Sequence, residues 1–291
     1  MIKKIYLMFV LFFSITSYSL PNNNLLVYLP FEDNIYDYSE NNRSTSLYAT
    51  DGPDYSFADG KVGRCLTFTV DGTANSGDFV TIPDFENADG TVNFSISVWI
   101  KRTDIRGDYP GYPVYKINSY NIGIDSNSSA EITGYFYDND DTHYLADTLT
   151  TSDSAAENTD WHHVVITHDG IIRKLYVDNL LINSITDEEW WSGTLANNNN
   201  DIGIGYGIKA LIDEVRIYNT VLSEDDIEEL YNQENVPPTP YPTLTPVPEA
   251  TATATMKRPK WRRWLPTSVP GAVLRNTPVP VTPPTIPFRW R

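Results

Sequence analysis

Cysteine is nearly missing from this 291-residue chain, which has only Cys65. No internal disulfide can form, so the fold must hold by core packing, with or without a metal. Basic residues are also scarce through most of the chain. Between Leu20 and Val236 there are 11 Lys and Arg against 37 Asp and Glu, a formal charge of −26. That charge excludes nucleic acid as a partner of this region, because phosphates require the opposite sign. No apolar run reaches the ~20 residues that a membrane-spanning helix needs. The familiar catalytic spacings are missing too. The four histidines, His143, His162, His163 and His168, form no H-E-x-x-H, and there is no G-x-S-x-G turn. No strand carries alternating acids such as E-x-D-x-E. Only residues i and i+2 share a face, and a glycosidase wants two carboxylates ~5–9 Å apart. Asp213 and Glu214 are adjacent and point to opposite faces, while Asp187, Glu188 and Glu189 fall in a loop.

What is present divides into unlike parts. Met1–Ser19 has Lys3 and Lys4, then IYLMFVLFF, then Ser17 and Ser19 in the small-residue positions of a cleavage site. It reads as a secretory signal peptide, so a secreted or cell-surface protein is expected. Residues 20–236 have globular composition. Residues 237–256 are a Pro/Thr linker, and 14 of the 20 prolines lie after Val236. Residues 257–291 are basic and tryptophan-bearing, with a formal charge of +7 over 237–291. This tail is expected to be disordered, and its charge suits polyanionic envelope material.

Within 20–236 the apolar period is 2. Leu25, Val27, Leu29 and Phe31 alternate inward, with Asp33 next on the same face. Leu66, Phe68 and Val70 alternate in CLTFTV. Phe94, Ile96, Val98 and Ile100 alternate in the clearest core strand, VNFSISVWIKR. Further strands are read at Tyr115–Ile124, Glu131–Tyr137 and His143–Leu149. Asp178-Asn179 is the two-residue turn of a hairpin, because Asn tolerates positive φ. In LIDEVRIYN, Leu211, Asp213, Val215 and Ile217 share one face. An aspartate in that apolar row is costly unless paired or metal-bound. Ser223 with Asp226 then reads as a capping box opening a short helix.

Four stretches carry a resemblance. They are YLPFED with DYSENN, the strand VNFSISVWIKR, WHHVVITHDGIIRKLYVDN, and IDEVRIYN followed by SEDDIEELY, and LYATDGPDYSFADGKVGRCLTFTVDG is also close to the same pattern. In this order they resemble the LamG-like jelly-roll family, of the concanavalin A-like lectin/glucanase group, over Leu25–Gln233. The resemblance fades between Asp104 and Leu149. It implies an all-β fold, a two-sheet antiparallel β-sandwich with a short C-terminal helix. It also implies a non-catalytic adhesive or carbohydrate-binding module whose partner is a glycan or an extracellular protein. The alternatives are a polysaccharide hydrolase of the same sandwich group and a purely structural envelope component.

The resemblance further implies calcium in a structural role. First and last strands commonly pair in a jelly roll, which would bring Asp33 and Asp213 together, with loop 34–42 completing the 6–8 oxygens calcium takes. The simpler account is that Asp33 bonds its own loop and Asp213 pairs with a Lys or Arg. Ligand contact is expected from aromatic rings beside acids, since sugar rings stack on Trp and Tyr. The candidates are Tyr109 and Tyr112 in one loop and Trp190 and Trp191 in another.

Overall fold

The computed structural model describes residues 21–48, 55–69, 79–103, 111–124, 131–137, 149–150, 160–186 and 193–233. The chain divides into two units, 1–242 and 243–291, and everything described lies in the first. The expected signal segment, linker and basic tail lie outside the described residues, as do residues 143–148 of the strand expected there.

Period-2 stretches become strands, and each lays its apolar face on one shared core. In chain order they are β1 (Leu25–Leu29), β2 (Ser46–Tyr48), β3 (Tyr55–Asp59), β4 (Arg64–Thr69), β5 (Phe79–Ile82), β6 (Phe94–Arg102), β7 (Gly111–Lys116) and β8 (Tyr120–Ile124). There follow β9 (Ile132–Phe136), β10 (Leu149–Thr150), β11 (His162–His168), β12 (Ile172–Val177), β13 (Leu180–Thr186), β14 (Ile202–Tyr206), β15 (Lys209–Tyr218) and the helix α1 (Glu224–Tyr231). One sheet runs β13-β12-β11-β6-β15-β4-β3, with β1 also on β15; the other runs β10-β9-β8-β7-β14-β5-β2. The pairings are antiparallel. Phe94, Ile96, Val98, Ile100, Val164, Ile166, Ile212 and Ile217 of the first sheet meet Val80, Ile82, Val114, Ile122, Ile202 and Ile204 of the second. This is the expected sandwich.

Register departs from simple alternation in three places. First, Leu25 packs not in the main core but beneath the helix, because the β1–β15 register shifts between Leu25 and Val27. Second, Tyr115–Ile124 is not one strand. It is the hairpin β7–β8, turned at residues 117–119 with Asn118 at φ 56. Third, β15 is bulged. Asp213 lies opposite Trp99 and Arg216 opposite Ser97, so Glu214 and Val215 share one partner position, and Glu214 has φ 54. A bulge of this kind hands the inward face from one parity to the other. Ala210 and Ile212 point inward before it, Val215 and Ile217 after it. Asp213 therefore does not share a face with Val215 and Ile217.

Part of the outer face of the first sheet, over β6, β11, β12 and β15, is covered by the helix, while Leu180, Leu181 and Ile182 of β13 stay exposed. Ser223 caps α1 through a capping box with Asp226, and Leu222, Ile227 and Leu230 pack on Val165, Tyr176 and Tyr218. Trp99 is stacked between His163 and Tyr231, with centroids 4.9 and 5.6 Å away. Arg216 donates to Glu214 at 2.6 Å and lies over the Tyr28 ring, whose hydroxyl also donates to Glu214.

Candidate ligand-binding face

The outer face of the second sheet is built by cross-strand registry. One row pairs Ser46 with Thr81, Thr81 with Gly203, Gly203 with Tyr115, Tyr115 with Asn121, and Asn121 with Tyr135. Beside it, Tyr48 pairs with Phe79 and Tyr206 with Tyr112. Tyr112 and Tyr115 stand three apart yet meet on one face, because the β7–β8 register shifts between Gly111 and Val114.

Five rings touch in a continuous sheet-top cluster. Tyr48 stacks on Phe79 at 4.8 Å, and Phe79 meets Tyr206 edge-on at 5.3 Å. Tyr206 lies 5.2 Å from Tyr115, and Tyr112 lies 6.2 Å from Tyr115. These separations are those of favourable aromatic pairs. Gly203 sets the posture of Tyr115. A Cβ at that glycine would sit 2.1 Å from a ring carbon of Tyr115 and 2.7 Å from its hydroxyl. The ring therefore lies across β14 rather than standing off it, and only glycine leaves room. Burial raises the Tyr115 and Tyr206 phenols above a range that already keeps them protonated at neutral pH. Tyr48 is half exposed, and the other four rings are half-buried.

Of the residues singled out from sequence as ligand contacts, Tyr112 belongs to this face. Tyr109, Trp190 and Trp191 lie outside the described residues. Tyr48, Phe79, Tyr115, Asn121 and Tyr206 were not foreseen, because they are assembled from five strands. The one available signal was the glycine spacing of DIGIGYG, which marks close approach of another group to the backbone.

The two aspartates are placed apart. Asp33 has φ 56, its side chain is 67% exposed, and it pairs with Arg64 at 3.1 Å. Phe31 and Asp33 are both left-handed, so alternation ends at Phe31, and the half-buried Glu32 lies against turn 60–63, its carboxylate accepting from the Arg64 amide at 3.2 Å. Asp213 is fully buried under the turn 60–63, where its Oδ2 accepts from the Lys61 and Val62 amides at 2.8 and 3.0 Å. Burial, then the charge of Glu214, pushes its carboxyl up to about 8.

Two facts bear on whether calcium fits. Asp213 Oδ1 and Glu32 Oε1 are both buried without a hydrogen-bond donor. Both carboxylates also press on the same turn, 2.6 Å from where a Gly60 Cβ would be and 2.1 Å from where a Gly63 Cβ would be. Two orphaned carboxylate oxygens suit a hard cation, with backbone oxygens or water supplying the rest. Among the described residues no group of three or more His, Cys, Asp and Glu converges as a ligand set. Cys65 is buried, and its thiol is pushed up to about 12, chiefly by burial. It is no nucleophile.

The sequence profile of the concanavalin A-like lectin/glucanases superfamily matches residues 71–228, more than half of the chain. The chain belongs to this superfamily. No curated protein sequence matches the chain. Solved structures share the superfamily fold at low identity. One is of botulinum neurotoxin type C, whose cell entry depends on interaction with two ganglioside molecules (TM-score 0.56, 21% identity, 72% of this chain and 51% of that one). Another is the binding domain of botulinum neurotoxin DC in complex with rat synaptotagmin II (0.56, 20%, 72% and 52%). A third is the binding domain of Paraclostridial Mosquitocidal Protein 1 (0.55, 21%, 72% and 52%). The chain spans about half the length of each, so the likeness concerns the concanavalin A-like sandwich and not those proteins' partners. No helix among the described residues is long and apolar enough to cross a membrane.

Proposed function

We propose that the chain is a non-catalytic binding module, secreted or held at a cell surface, that recognises a glycan or an extracellular protein on the outer face of its second sheet. The observation that carries this reading is the five-ring cluster of Tyr48, Phe79, Tyr112, Tyr115 and Tyr206, set beside the hydroxyls of Ser46 and Thr81 and the amide of Asn121. Rings that offer flat faces next to neutral hydrogen-bonding groups are suited to ligands with both apolar and hydroxylated surfaces. The superfamily and its solved binding domains give coarse support. The test uses the full chain with Tyr115→Ala and Tyr48→Ala. Ligand retention should fall in both while the unfolding transition stays cooperative. Release of reducing ends from a bound polysaccharide would instead make the chain a hydrolase.

Two further roles belong to this reading. Calcium would be held by Asp213, as expected, with Glu32 rather than Asp33, whose carboxylate pairs with Arg64. Its contribution there is structural, clamping turn 60–63 to β15. The basic segment 237–291, at +7 against −26 for 20–236, gives the chain a separate polyanion contact that salt should screen over a Debye length of ~8 Å.

A further inference from the structure

We infer that the ligand of this face is an uncharged glycan chain laid across the strands, and that anionic sugars are refused there; this rests on the binding-module reading above. The first argument is the identity of the groups presented. Along the principal row stand a serine, a threonine, a glycine, a tyrosine, an asparagine and a tyrosine, from Ser46 to Tyr135. The neighbouring row adds Tyr48, Phe79, Tyr206 and Tyr112, and then Gly123 paired with Thr133. None of these described positions carries a Lys, Arg or His. Recognition of carboxylate or sulfate calls for guanidinium or ammonium donors. Hydroxyls, phenols and a carboxamide are instead matched to the hydroxyls of a neutral sugar.

The second argument is the field. Residues 20–236 carry a formal −26, so a polyanion approaching the sandwich is repelled within a Debye length. An uncharged polymer is indifferent to that field. The third argument is an unmet bond. Asn121 is 8% exposed, lies between Tyr115 and Tyr135 in the row, and its Oδ1 has no hydrogen-bond donor. A buried acceptor left so is costly. Its missing partner is a donor, so a hydroxyl reaching it once a covering ring shifts would satisfy it, whereas a carboxylate placed there would add a second acceptor. The fourth argument is extent. Six strands at ~4.8 Å spacing give a row of roughly 24 Å, long enough for several sugar rings in line rather than one terminal residue.

The experiment uses the full-length chain in affinity electrophoresis against neutral polysaccharides (β-glucan, xylan, mannan) and polyanionic ones (polygalacturonate, alginate, heparin), at low and physiological salt. The expected result is retardation by at least one neutral polymer, unchanged by salt. It should weaken roughly fivefold per lost ring in Tyr48→Ala and in Tyr115→Ala. Tyr48 is half exposed, so its variant folds even where Tyr115→Ala loses stability. Binding of polyanions alone that the Tyr48 and Tyr115 variants abolish would overturn the uncharged class and leave the face standing. Neutral-polymer binding untouched by either variant would defeat the face itself. If the only binding seen is to polyanions, survives both variants and vanishes with salt, it belongs to the basic tail and both readings fall.

Discussion

Lys116→Met should destabilise the sandwich by about 3–5 kcal/mol, the cost of removing one partner from a buried ion pair. The Lys116 side chain is fully buried. Its ammonium lies 2.8 Å from Asp84 and 3.3 Å from Asp89, and it donates to the carbonyls of Asn198, at 3.1 Å, and Asn200. Asp89 is itself almost wholly buried, and burial raises its carboxyl above the ordinary range even with the lysine beside it. Methionine keeps the stem and its packing but takes a donor from two carbonyls and leaves the buried Asp89 carboxyl with the Asn198 amide and no cation. Each orphaned neutral group costs about 1–3 kcal/mol, so the two carbonyls alone approach the range given. For a domain of this size the melting temperature should drop by roughly 10 °C. Urea unfolding of the full chain, followed by tryptophan fluorescence, measures the loss. The companion Lys116→Met/Asp84→Asn/Asp89→Asn should recover part of it, because the stranded acids are gone. A loss under about 1 kcal/mol, or a triple variant no better than the single one, would refute the reasoning.

Burial, then the charge of Arg216, lowers His163 from 6.5 to about 3, so the native state keeps it neutral beside Ser97 while the unfolded chain takes a proton below 6.5. Stability should therefore be full above pH 6.5 and fall progressively as pH drops toward 3, by a few kcal/mol in total. His163→Gln should flatten that fall in equilibrium unfolding; an unchanged slope would mean another group governs it. Gly203→Ala should cost about 1–3 kcal/mol by overpacking against Tyr115 and should weaken ligand retention along with it. An alanine variant with wild-type retention would show that the posture of that ring is irrelevant. Calcium in 100-fold excess over its dissociation constant should stabilise the native state by about 2.7 kcal/mol, and Asp213→Asn should abolish the response. Identical melting curves with and without chelator would end the calcium proposal.

By itself the sequence determined the layers and most of the elements. Alternation in FSISVWI and HVVITH could bury its apolar residues only between two sheets. Asp178 and Asn179, both found at positive φ, turned the β12–β13 hairpin as their side chains allow. Ser223 and Asp226 capped the helix as their spacing implied. These are local matters, settled by residues next to one another. What only the tertiary structure decided is where strands slip against each other. A left-handed Asp33 sent its carboxylate to Arg64, and a left-handed Glu214 reversed the parity of β15 and put Asp213 under turn 60–63. Aspartate tolerates positive φ but does not require it, so nothing local selected Asp33 for that conformation; for Glu214 the paired strands imposed one that its own preference opposes. The aromatic face is of the same kind. Tyr48, Phe79, Tyr115, Asn121 and Tyr206 lie far apart along the chain and become neighbours through the register of β2, β5, β14, β7 and β8. Periodicity reports which side of its own strand a residue takes, but hydrogen-bond register between strands decides what stands beside it.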